Sequence, residues 1–112
     1  MHRLGFMTEE LQELTDFLKT TDAVKVKSVF SHLAAAEDPE SDDFTLGQIK
    51  MFETNADRIT QQIGYKPMLH ILNSAGIERF AAYQHDMVRL GIGIYGISAL
   101  PGVKLSPVAS LK

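Results

Sequence analysis

Hydrophobic positions along the chain switch repeatedly between a helical period and a strand period, and that switching sets the expected fold. Leu11, Leu14 and Leu18, with Phe17, make an apolar face at helical spacing, while Gln12, Glu13, Asp16 and Lys19 face water. Thr8 is placed to cap this helix, with Glu9 and Glu10 in its first turn and an end near Thr20-Thr21. From Val24 to Leu33 the period becomes two and β-branched residues are enriched, which predicts a strand whose start, with Lys25 and Lys27, stays solvated. The acidic stretch from Ala36 to Asp43 reads as a solvated loop feeding a helix N-terminus rather than a cation site. Phe44 to Gly64 is the clearest helix: Ile49, Phe52, Ala56, Ile59 and Ile63 form one stripe, Gly64 suits the residue just past the end, and Pro67 prevents continuation. Met68 to Asn73 is a second strand and Gly76 to Phe80 a short helix. Met87 to Leu90 is a third strand, followed by a turn through Gly91–Gly96.

Helices and strands therefore alternate with no hairpin signal between strands, the order that right-handed βαβ units and a parallel sheet produce. The predicted fold class is α/β. Three strands and a stub at Met1–Phe6 do not close a barrel of eight, so the expectation is parallel βα units forming a partial (half) TIM barrel over residues 1–98, with residues 99–112 a linker beyond it; a complete small α/β domain is the alternative, against which the uncapped start at Met1–Phe6 counts.

Composition narrows the function. The 112 residues are 45% hydrophobic and 22% charged with a net charge of −3, which offers no basic patch and argues against nucleic acid as the partner. There is no cysteine, hence no disulfide framework or thiolate metal site, and the histidines lack ligand spacing, so no metal is expected. No apolar run approaches the roughly 20 residues that span a bilayer, and the N-terminus lacks a signal-peptide layout. A cytoplasmic protein with no membrane partner is the expectation.

Two segments carry candidate chemistry. Leu69-His70-Ile71-Leu72-Asn73-Ser74-Ala75-Gly76 and Met87-Val88-Arg89-Leu90-Gly91-Ile92-Gly93-Ile94-Tyr95-Gly96 each begin as an apolar run with one ionisable residue and break into small residues. Ends of parallel strands are where such folds bind ligands. The Ser74 hydroxyl and the backbone N–H groups of Gly91 and Ile92 would converge on an anion such as phosphate, and a side chain at position 91 would hold that anion away. Taken alone, Gly91 and Gly93 are better read as permitting a tight turn, because a lone Gly-x-Gly is a weak signal. Arg89, between Val88 and Leu90, needs a polar environment; His70 on the neighbouring strand supplies one, and an ion pair with Asp86 or another acid is the alternative.

The run His-Ile-x-Asn-Ser-Ala at His70–Ala75, followed by Asp-Met-Val-Arg-x-Gly-Ile-x-x-Tyr-Gly at Asp86–Gly96, resembles alanine racemase. Met1–Phe6 is similar to that family's Thr-Gly-Met-x-Arg-x-Gly segment, and Leu100–Lys112 to its crossing into a β domain. The resemblance implies a pyridoxal 5'-phosphate (PLP) enzyme that interconverts L- and D-alanine for cell-wall synthesis, built as an eight-stranded βα barrel followed by a β domain. This chain would be the C-terminal half of that barrel. It further implies that Ser74, Gly91 and Ile92 hold the cofactor phosphate and that Arg89, supported by His70, contacts the pyridine nitrogen. Asn73 and His32 would lie by the cofactor, and Arg3 by the carboxylate of an amino acid substrate. The lysine that captures PLP and the tyrosine that opposes it would both lie outside this chain, which is then inactive alone. A homo-oligomer is expected. The alternatives are a single-barrel PLP-binding protein that does not racemise, which has no use for the Leu100–Lys112 tail, and a small interaction domain without a cofactor.

Overall fold

The computed structural model describes residues 4–110. A helical turn at Thr8–Glu10 runs into helix α1 (Leu11–Lys19). Met7, not Thr8, occupies the N-cap, and the Glu10 carboxylate accepts from the Met7 N–H at 2.6 Å. The Thr8 hydroxyl is turned outward and accepts from Asn55 Nδ2 instead, at 2.9 Å. Leu11 and Thr15 are the buried residues of α1, and Phe17 is 59% exposed. The expected apolar face is thus rotated by one residue: the Thr15 hydroxyl is satisfied inside the helix by the Leu11 and Gln12 carbonyls, so it can be buried where Phe17 was expected.

Strand β1 is Ser28–Phe30 and strand β2 is Met68–His70. They pair in parallel, Ser28 opposite Met68 and Phe30 opposite His70. The predicted strand from Val24 to Leu33 is therefore only three residues long. Before it, the Val26 N–H is bonded to the Tyr65 hydroxyl at 2.9 Å rather than to a strand; after it, the Ser31 carbonyl is taken by Arg89. The third predicted strand, Met87 to Leu90, is not one. The segment runs alongside β2, and its backbone is tied there through Asp86 N–H to the Leu69 carbonyl and Arg89 N–H to the Leu72 carbonyl, both 3.0 Å. The Gly91–Gly93 turn draws the chain away before a ladder can form. At the other end, Leu4 and Gly5 form a bend with Gly5 at φ +91°, not a strand stub, and Met1–Arg3 lie outside the described residues.

Helix α2 (Asp42–Ile63) connects β1 to β2, beginning two residues before the predicted Phe44. Asp42 and Asp43 occupy its first turn, and Asp38 caps the turn before it by accepting from Glu40 N–H and the Ser41 hydroxyl. The acidic stretch is a helix lead-in, as expected. Gly64 ends α2 at φ +78°, a left-handed conformation that a side chain disfavours. Ile49, Phe52 and Ala56 of α2 bury against Leu33, Ala36, Ile71, Leu72, Ala75 and Phe80, with Val29, Leu69 and Val88 packed on the same core. These last three lie on the helix-facing side of the strands. Phe30, Met68 and Met87 lie on the other, and Phe30 is 61% exposed.

Helix α3 (Ser74–Arg79) follows β2 directly, starting two residues before the predicted Gly76. Asn73 caps it, its side-chain oxygen accepting from Gly76 N–H at 2.9 Å. A helical turn at Ile92–Tyr95 follows the third segment. The tail then folds back: Ile97 bridges Lys104 antiparallel, and the N–H groups of Val108 and Ala109 reach the Ile94 carbonyl. Among the described residues no helix is long and apolar enough to cross a membrane.

Candidate functional site

The C-terminal ends of β1 and β2 meet at Arg89. Its Nη2 donates to the carbonyls of Ser31 at 2.6 Å and Ile71 at 3.2 Å; its Nη1 donates to the His70 carbonyl at 3.3 Å and to His70 Nδ1 at 2.5 Å. The guanidinium also lies over the Phe30 ring, 5.3 Å from its centroid, and Phe30 stacks on His70 at 5.0 Å with the planes 4° apart. Arginine can only donate, so His70 Nδ1 must carry a lone pair and the imidazole is neutral. Burial first, and then the Arg89 charge, hold the His70 pKa below the ordinary histidine value. Burial also lowers the Arg89 pKa, although the group stays cationic in the neutral range.

The Asp86 alternative fails. That carboxylate accepts from Leu69 N–H at 2.8 Å and faces Lys66 at 3.7 Å. Arg89 is held by carbonyls and imidazole, and among the described residues no acid pairs with it. His32 follows β1 and is exposed, its Nδ1 3.5 Å from Arg89 Nη2.

Ser74 opens α3 next to this cluster. Its Oγ accepts from Gly91 N–H at 2.9 Å and from Gly93 N–H at 3.2 Å. Gly93 N–H, which the sequence did not single out, thus joins Gly91 at the Ser74 hydroxyl. A Cβ placed on Gly91 would lie 3.6 Å from Ser74 Oγ, an ordinary contact that would nevertheless fill the space beside the hydroxyl. An open cavity of about 630 Å³ joins these features, and Ser74, Asn73, Arg89, Gly91, Ile92 and His32 all line it. His70 supports it from behind Arg89, and Arg3 lies outside the described residues.

The profile of a known family, described as alanine racemase, N-terminal domain, matches residues 1–99. The chain belongs to the alanine racemase family. Alanine racemase 1 of Oceanobacillus iheyensis is 35% identical over the whole chain, which covers 29% of that protein. Among solved structures, alanine racemase of Clostridium difficile in complex with cycloserine superposes with a TM-score of 0.80 at 28% identity, over 96% of this chain and 31% of that one. Alanine racemase of Bartonella henselae with covalently bound pyridoxal phosphate gives a TM-score of 0.67 at 28% identity, over 96% of this chain and 29% of that one. The chain thus spans about a third of the length of the racemases it matches.

Two residues shape the site without a signal in the motifs. Gln48 of α2 fixes the loop after β1, donating to the His32 carbonyl at 2.6 Å and accepting from Ala34 N–H at 3.1 Å. Glu78 of α3 takes the Ser98 hydroxyl and the Ala99 N–H, the latter at 2.9 Å. Both are polar residues on otherwise unremarked helix faces. Their partners are backbone groups distant in sequence, which no periodicity reports.

Proposed function

We propose that this chain is the part of an alanine racemase that holds the phosphate and the pyridine nitrogen of PLP, and that residues 1–98 are the C-terminal half of its βα barrel. The observation that carries the reading is the meeting of Ser74 Oγ with two backbone N–H groups, in one cavity with an arginine that pairs with no carboxylate among the described residues. The residues present fit the cofactor. A phosphate with nearly two negative charges suits several neutral donors and a glycine that keeps the backbone accessible. Ser74 would turn its hydroxyl toward the anion, freeing the amides of the 91–93 turn to donate to it.

Arg89 anchors the other end. Its five contacts run through Nη1 and Nη2, leaving Nε–H as the donor for the pyridine nitrogen. A guanidinium donates a hydrogen bond but not a proton, so the ring nitrogen would stay unprotonated. PLP, when bound, supplies a ring that stabilises negative charge at the substrate α-carbon. An unprotonated ring does so more weakly, which suits returning a proton to that carbon over losing it. His70, kept neutral, fixes Nη1 and so the orientation of the whole group.

No lysine or tyrosine is among the residues lining the cavity. Capture of the cofactor therefore falls to an amine outside these walls, and we assign both proton transfers to groups there as well. Each such base contributes roughly 10²–10⁴-fold to a proton-transfer step. The purified chain is expected to give no conversion of L- to D-alanine with added PLP. PLP-dependent racemisation by this chain alone would overturn that division of labour.

A further inference from the structure

We infer that Glu78 is a positioning residue for the anion cradle, holding the far end of the loop whose near end Ser74 holds. The inference rests on the phosphate reading above for its consequence, but its geometry stands apart from it. Ser74 and Glu78 are four residues apart on α3, so their side chains leave the same helix face. Ser74 Oγ takes the N–H groups of Gly91 and Gly93. Glu78 takes the Ser98 hydroxyl through Oε2 and the Ala99 N–H through Oε1, and the Ser98 Oγ in turn accepts from Leu100 N–H at 2.9 Å. The loop from Gly91 to Ala99 thus departs from one helix face and returns to it. Ser74, Gly91, Ile92, Ser98 and Ala99 all line the cavity.

The two grips respond differently to a ligand. An anion in the cradle competes with Ser74 Oγ for the amides of the turn, so the near grip is exchanged for ligand contacts on binding. The Glu78 grip involves none of those amides and persists in both states. Bonds to an ionised acceptor are roughly twice as strong as neutral ones, and among the described residues no cation pairs with Glu78 to draw the carboxylate away. Glu78 therefore fixes the wall opposite Ser74 while the anion comes and goes.

The test combines amide hydrogen exchange on the whole chain with titration by inorganic phosphate and by PLP. In Glu78→Ala, exchange at residues 97–100 should rise about tenfold or more while α2 keeps its protection, and the dissociation constants for both probes should weaken about tenfold. Glu78→Gln retains an acceptor for Ala99 N–H and a donor for Ser98 Oγ but loses the charge, so it should fall between Glu78→Ala and wild type in both readouts. Ser98→Ala leaves α3 untouched and should loosen the loop in the same direction, which decides the matter if Glu78→Ala unfolds. Unchanged exchange at 97–100 in Glu78→Ala or Ser98→Ala, with α2 intact, would overturn the grip. A loosened loop with unchanged affinity, in a chain whose binding Ser74→Ala abolishes, would overturn its role in the cradle. Failure of wild type to bind either probe would instead remove the phosphate reading and leave the exchange result to judge Glu78.

Discussion

His70 ties the arginine centre to the stability of the fold. Its folded pKa lies below the ordinary value of about 6.5, so around and below that pH the unfolded chain binds more protons than the folded one. The His70 contribution is therefore complete above about pH 6.5 and shrinks as the pH falls. Urea unfolding of wild type and His70→Gln across that range should show the stability difference narrowing toward acid; a difference independent of pH would contradict a neutral His70 held beside Arg89. Gly91 gives a second residue-scale expectation. A methyl there meets Ser74 Oγ at only ordinary contact distance, so Gly91→Ala should leave the melting temperature nearly unchanged yet weaken phosphate binding about tenfold. Loss of folding, or unaltered binding, would count against the cradle. Ser74, Gly91, Arg89 and His70 were legible because small and ionisable residues interrupt apolar runs at matching places. The bond from Gly93 N–H to Ser74 was not legible, because it depends on how tightly the turn winds.

At the scale of elements, the helices were easier to read than the strands. The stripe along α2 is long enough for its period to be unambiguous, and Gly64 ends it as expected. In β1 and β2 the period-two pattern extends beyond the residues that find a ladder partner, because hydrogen bonding here is set by neighbours rather than by the strand itself. In α1 the pattern pointed to Phe17 where Thr15 is buried, since Thr15 hides its hydroxyl in bonds to its own helix. The contrast is measurable. Ile49 is 1% exposed and Phe17 59%, so Ile49→Ala should destabilise by about 2–5 kcal/mol and Phe17→Ala by about 0.5 or less. Equal losses in chemical denaturation would show that α1 buries Phe17 after all.

The whole molecule is more open than its mass requires. Its accessible surface is 7914 Å², where a compact monomer of this mass exposes about 6,100 Å². Its radius of gyration is 16.3 Å, against about 13 Å for a compact chain of this length. Among the described residues, no helix covers the strand face on which Phe30, Met68 and Met87 stand, and the second edge of β1 has no neighbouring strand. The excess is more than the roughly 800 Å² that each partner buries in a standard interface. Self-association at tens of micromolar is therefore expected, with Phe30→Ser shifting it toward monomer. Sedimentation showing a stable monomer at that concentration would mean the tail folded back at Ile97 and Lys104 screens the edge sufficiently.

The central claim is that Ser74 and the turn at Gly91 form a cradle for the phosphate of PLP beside Arg89. Phosphorus NMR of PLP titrated with the chain tests it most directly, because the phosphate itself is the reporter. A saturable shift with wild type, lost in Ser74→Ala and retained in Phe17→Ala, is the result the structure predicts. A phosphorus signal that wild type leaves unmoved, or that Ser74→Ala moves equally, would contradict it.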